Sequence, residues 1–125
     1  MILIFMIKIK YLVKAFTLML LMSTYNAEEL LLKQFIVHLE TGKEWNSNLS
    51  PTEQKEFKNH SENMKLLREK GIIKLGARYG EFGLLIIESE SKSSAIKILE
   101  ADPGIKAGIF KFRIEPISIF YNWKN

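Results

Sequence analysis

Ile72-Ile73-Lys74-Leu75-Gly76-Ala77-Arg78, then Tyr79-Gly80-Glu81, then Phe82-Gly83-Leu84-Leu85-Ile86-Ile87 is the stretch on which the fold turns. Two apolar runs joined by a short glycine-bearing link predict a β-hairpin. What flanks the hairpin decides how it is used. On its N-terminal side, Ser50-Pro51-Thr52-Glu53 carries a helix start, with Ser50 as cap, Pro51 in the first turn and Glu53 completing the S-x-x-E box. The predicted helix runs to about Lys70 and stops at Gly71. It places Phe57, His60, Met64 and Leu67 on one stripe at spacings of three and four. On the C-terminal side, Ser89 or Ser91 caps a second helix that packs through Ala95, Ile96, Ile98 and Leu99 and is ended by Pro103-Gly104.

Two more strands complete the pattern. Gln34 to Glu40 is β-branched and aromatic-rich, and Ile109 to Ile117 alternates Phe110, Phe112 and Ile114 against Lys111, Arg113 and Glu115. The order is strand, helix, strand, strand, helix, strand. That is the split βαβ arrangement, an α+β, ferredoxin-like βαββαβ fold with an antiparallel sheet and both helices on one face. The first and third strands, apolar on both faces, belong in the centre, and the last strand carries Pro116 as an edge strand can. The uncovered face then shows Ile36 and alternate members of Leu84 to Ile87, a patch that calls for a cover. A face-to-face homodimer is the simplest one, giving a dimeric α/β barrel with clefts near the interface.

The chain has 125 residues, enough for one domain with a modest core. Its formal charge of +4 is concentrated at the start. Residues 1–27 hold Lys8, Lys10 and Lys14 and no acid, which leaves 15 basic and 14 acidic groups in the remaining 98 residues. A near-neutral domain lacks the electrostatic footprint of a nucleic-acid binder. Those lysines precede the apolar run Ala15 to Met22 and the small polar stretch Ser23-Thr24-Tyr25-Asn26-Ala27. The order basic, apolar, small is that of a secretory signal peptide, with cleavage expected after Ala27, and the run is too short to span a bilayer. Residues 1–27 are therefore read as a signal peptide and 28–125 as the mature domain, exported to the periplasm or secreted. The alternative is an uncleaved anchor, and membrane contact is expected only in that case. With no cysteine in the chain, thiolate metal sites, thiol nucleophiles and disulfides are excluded.

His60 and Asp102 are the candidate catalytic pair. His60 falls on the apolar helix stripe, where burial can keep an imidazole neutral and a carboxylate can hold its tautomer. Asp102 falls at the predicted C-terminal end of the second helix, against the negative end of the macrodipole, a costly place unless a positive or hydrogen-bonding group faces it. His38, on the strand face opposite Phe35, Val37 and Leu39, is directed to the dimer-side cleft. Trp45 in the polar loop 41–49 is a candidate lid, and Arg78 at a strand end is placed to meet an anionic group. These three are the candidate substrate-binding residues. The two histidines with Asp102 and a glutamate could in principle hold a metal, but no pair of them shows metal-helix spacing, so no metal is expected, and no cofactor is expected either.

At these residues the chain resembles the YciI-like, or YCII-related, family of small proteins. The resemblance is carried by Phe35-Ile36-Val37-His38 and by His60-x-x-x-Met64-x-x-Leu67-x-x-x-Gly71. It continues through the strand Ile72 to Ala77, Glu100-Ala101-Asp102-Pro103, Lys106-Ala107-Gly108-Ile109-Phe110 and Ile114-Glu115-Pro116, covering about residues 34–121. It implies a ferredoxin-like fold paired as a dimeric α/β barrel, and a site built on a histidine and an aspartate that fall on His60 and Asp102. His38 matches a histidine of one branch. One member with an assigned reaction eliminates chloride from a chlorinated hydroxyquinol, so the resemblance implies lyase-type proton abstraction on a small molecule. The chain departs from the family in reading Ala77-Arg78 where Gly-Pro is usual, and Gly104 where an aromatic or apolar residue often follows Asp-Pro.

Overall fold

The computed structural model of the chain describes residues 1–28 and 31–121 and falls into two units, Met1–Leu31 and Leu32–Asn125. The first unit is a helix, α1 (Ile2–Glu28), whose apolar side chains, such as Leu3, Phe5, Phe16 and Leu18, are exposed. Among the described residues no helix is long and apolar enough to cross a membrane. The side chains of the stretch 23–27, where cleavage is expected, lie outside the described residues.

The second unit holds β1 (Lys33–Thr41), α2 (Phe57–Glu69), β2 (Ile73–Tyr79), β3 (Phe82–Ser89), α3 (Lys92–Glu100), α4 (Pro103–Lys106) and β4 (Phe110–Pro116). The strands form one antiparallel sheet in the order β2-β3-β1-β4, with β1 and β3 central and β4 at an edge, as the apolar patterns require. This α+β layout is compatible with a ferredoxin-like fold.

Register assigns the faces. Phe35, Val37 and Leu39 of β1 pair with Ile87, Leu85 and Gly83 of β3 and with Pro116, Ile114 and Phe112 of β4. Directly paired residues share a face, so these residues lie on the helix-covered side. Phe35, Val37, Ile87 and Ile114 join Leu67 of α2 and Ala95 and Leu99 of α3 in one core. The opposite face carries Ile36, His38, Leu84 and Ile86, with Leu75, Tyr79 and Phe82 exposed beside them.

The structure corrects two sequence expectations, and both corrections bear on the site. The Ser50 box does not open the long helix. Glu53 does reach back, its carboxylate accepting from the Ser50 hydroxyl at 2.7 Å and from the Ser50 N–H at 2.9 Å. Those two bonds, the hydroxyl's first, hold the Glu53 carboxyl below its ordinary pKa. But they close only a 3₁₀ turn, Pro51–Glu53. The chain then leaves helical geometry at Gln54 (ψ 144°), and Glu56 takes the left-handed conformation at φ 64° before α2 begins at Phe57. A non-glycine residue pays for that conformation in backbone strain. The interruption lets the loop and α2 meet at an angle that one continuous helix would forbid.

The second correction concerns Asp102. Helix α3 ends at Glu100, and Asp102 is the N-cap of the next helical turn, α4. A residue before proline is pushed out of the helical region, and Asp102 sits at ψ 131°. Pro103, with its preset φ, then restarts the helix at its first position. The carboxylate therefore meets free backbone N–H groups at a helix start, where a negative charge is favourable, and the penalty expected from the macrodipole of α3 does not arise.

Candidate active site

His60 lies in the first turn of α2, and Asp102 at the cap of α4, which packs beside α2. Their side chains meet: His60 Nδ1 is 2.6 Å from Asp102 Oδ2. Asp102 is fully buried, and each of its other partners is a donor. Oδ2 also accepts from the Gly104 N–H at 3.0 Å and the Ile105 N–H at 3.2 Å, while Oδ1 accepts from the Asn63 side-chain amide at 2.7 Å. A carboxylate is an acceptor on all sides, so the complementary assignment puts a proton on His60 Nδ1 and leaves the Nε2 lone pair free.

That second nitrogen has somewhere to point. His60 lines a cavity of about 250 Å³ with Leu39, Trp45, Pro51, Phe57 and Phe110 as apolar walls. The rings form a box: Phe110 lies 4.5 Å from the His60 ring, Trp45 5.6 Å and Phe57 6.4 Å from Phe110, centroid to centroid. Among the described residues His60 Nε2 has no hydrogen-bond partner, and it is not among the buried unpaired atoms, so it is an accessible, unpaired nitrogen on a residue that lines the cavity. Glu40, Arg78 and Glu81 stand at the charged rim.

A side chain at position 104 would crowd the dyad. A Cβ on Gly104 would sit 3.0 Å from His60 Cβ and 3.1 Å from Asp102 Oδ2. The bare backbone at Gly104 is therefore what allows α4 to approach α2 closely enough for the 2.6 Å contact.

Of the residues expected to form the site, His60, Trp45 and Arg78 share this cavity, and Asp102 lies directly behind His60. His38 does not join them. By register it belongs to the opposite face of the sheet, where its Nδ1 bonds the Tyr79 hydroxyl and its ring stacks 4.7 Å from Phe82. Its Nε2 is buried and has no hydrogen-bond partner among the described residues.

Two residues escaped the sequence reading. Asn63 fixes the Asp102 carboxylate from one helical turn after His60, and the i, i+3 spacing was the signal for it. Gln54, buried between the 3₁₀ turn and α2, pins the Trp45 loop: its amide donates to the Asn46 carbonyl at 2.7 Å and accepts from the Asn46 N–H at 2.9 Å. Gln54→Ala is expected to cost about 1–3 kcal/mol by leaving the Asn46 groups unpaired. Amide hydrogen exchange over residues 44–50 should accelerate in this variant while β1 and β3 stay protected.

Among the described residues no cluster of three metal-ligating side chains occurs. A scan against protein-family models matched none, and a search of curated proteins found no relative of this chain.

Proposed function

We propose that the domain is a small YciI-like acid–base module, in which His60 removes a proton from a small organic molecule and Asp102 orients the imidazole. The observation that carries this reading is the 2.6 Å contact of His60 Nδ1 with a buried, fully hydrogen-bonded carboxylate, with Nε2 free to face an apolar cavity. An imidazole so held is a base with one available lone pair, and its charged form would be stabilised by Asp102 as the proton arrives. The apolar walls limit water around the base, which strengthens that electrostatic support.

The reaction type is proton abstraction leading to elimination. Nε2 takes a proton from carbon, the C–H electrons become the new double bond, and a leaving group such as chloride departs with its bonding pair. The proton returns from His60 to water. No redox partner is needed.

Two further features belong to the same proposal. Ile36, Leu84 and the exposed Leu75, Tyr79 and Phe82 on the open sheet face support a second copy as its cover, giving the dimeric α/β barrel with His38 toward the interface. The lysines ahead of the apolar run 15–22, on a helix with exposed apolar side chains, support an export segment that is removed.

The test is solvent exchange and chloride release from a panel of one-ring chlorinated carbon acids in deuterated water. The wild-type protein is expected to catalyse one or both, and His60→Asn to slow them by roughly a hundredfold. An equal rate in His60→Asn removes the base. Binding of panel members with no catalysis by the wild type makes this a small-molecule-binding or accessory domain instead.

A further inference from the structure

The rim of the His60 cavity holds two charges that no described residue engages. Glu40 is paired with Lys111 at 3.5 Å, but Arg78 and Glu81 take part in no ion pair and no side-chain hydrogen bond among the described residues. Arg78 is positioned by register: it pairs with Gly83 at the end of the β2–β3 hairpin, on the helix-covered face, over the cavity. Opposite Arg78, Gly83 has no side chain to fill the entrance. Behind that entrance stand three aromatic rings, Trp45, Phe57 and Phe110, and the His60 base.

Size and shape narrow the occupant. An apolar cavity of about 150 Å³ is enough for benzene, so a space of about 250 Å³ takes one six-membered ring with a few substituents. The rings favour a flat guest that can lie against their faces. A guanidinium offers a planar fork that matches a carboxylate, and a free one at an apolar mouth is a polar group of the kind that orients a ligand. Glu81 on the same hairpin disfavours a second anionic group and favours a hydroxyl beside the first.

Building on the acid–base reading, we propose that the cavity selects single-ring organic acids, with Arg78 holding the carboxylate and the ring inserted toward His60. Arg78 is then the specificity-determining residue of the site, separate from the proton-transfer pair.

The probes are benzoate, its neutral isostere benzamide, and benzylammonium, measured against the full-length protein by ligand-observed NMR at low salt. Arg78 is exposed, so its contribution is moderate: benzoate is expected to bind about fivefold more tightly than benzamide. Arg78→Gln should erase that preference while leaving benzamide unchanged, and Glu81→Gln should tighten benzoate further. Both positions are exposed, so the variants should unfold at the wild-type denaturant midpoint. Equal binding of all three probes, or a benzoate preference that survives Arg78→Gln, overturns the carboxylate assignment and leaves the acid–base reading standing. Binding of none of the three by the wild type overturns the single-ring assignment, while the acid–base reading stands or falls on the His60→Asn rate.

Discussion

Asp102→Ala should destabilise the protein by about 3–5 kcal/mol, the range for breaking a buried, hydrogen-bonded pair. The size follows from what the carboxylate serves. Four donors converge on it: His60 Nδ1, the Asn63 amide, and the Gly104 and Ile105 N–H groups. Truncation leaves all four facing a hole sealed from solvent, and an orphaned buried polar group costs more than a hydrogen bond contributes net. It also removes the cap of α4. Asp102→Asn should cost less, because the amide oxygen still accepts from the α4 N–H groups. The amide nitrogen then takes the place of Oδ1 and meets the Asn63 side-chain amide, which must turn its oxygen inward to pair with it, and the charge that supports His60 is gone. Urea denaturation of the two variants should rank them wild type, Asn, Ala, and Asn63→Ala, which orphans the buried Asp102 Oδ1, should fall about 1–3 kcal/mol below the wild type. Similar midpoints for Ala and wild type would mean that Asp102 is solvated and the dyad open.

Gly42→Ala should be nearly as damaging, at about 3 kcal/mol, for a wholly different reason. An added Cβ would lie 2.2 Å from the Gly108 carbonyl oxygen and 2.9 Å from its carbon. Both are backbone atoms, so no side chain can rotate away. The crossing also carries two hydrogen bonds, Gly42 N–H to the Ile109 carbonyl at 2.8 Å and Glu44 N–H to the Gly108 carbonyl at 2.9 Å. Together they anchor the loop bearing Trp45 to the start of β4, which bears Phe110. Separating them moves two walls of the cavity. Gly42→Ala should therefore lose benzoate binding along with stability, whereas Gly76→Ala, whose Cβ meets only Leu85 at 3.6 Å, should stay within about 0.5 kcal/mol of wild type. Equal midpoints for the two variants would show that the loop adjusts freely.

The sheet was legible because each strand states its environment. β1 and β3 are apolar on both faces and are central, while β4 alternates and is an edge. The stripe Phe57, His60, Met64, Leu67 was legible for the same reason, since period and burial agree along α2. Misreadings came where one local signal has two outcomes. Asp-Pro-Gly after a helix reads as a stop, yet the same three residues cap and restart a helix when space permits. Ser50 to Glu53 is a sound capping signal, and only packing around Gln54 and the turn at Glu56 limits it to a single 3₁₀ turn. The His60–Asp102 contact joins residues 42 apart in the chain, and spacing carries no information over that distance. It depends on how closely α4 approaches α2, which Gly104 permits. His38 was assigned to the correct face because strand alternation sets it against Phe35, Val37 and Leu39, and that face lies across the sheet from His60 in the single chain.

Long-range ¹⁵N–¹H correlation NMR of the His60 ring at neutral pH reports which nitrogen bears the proton. The expected spectrum has a protonated Nδ1 and a bare Nε2, with the Nε2 resonance shifting when benzoate is added and the tautomer preference lost in Asp102→Ala. A proton resident on Nε2 in the wild type, or a ring indifferent to the Asp102 substitution, would mean that no base faces the cavity.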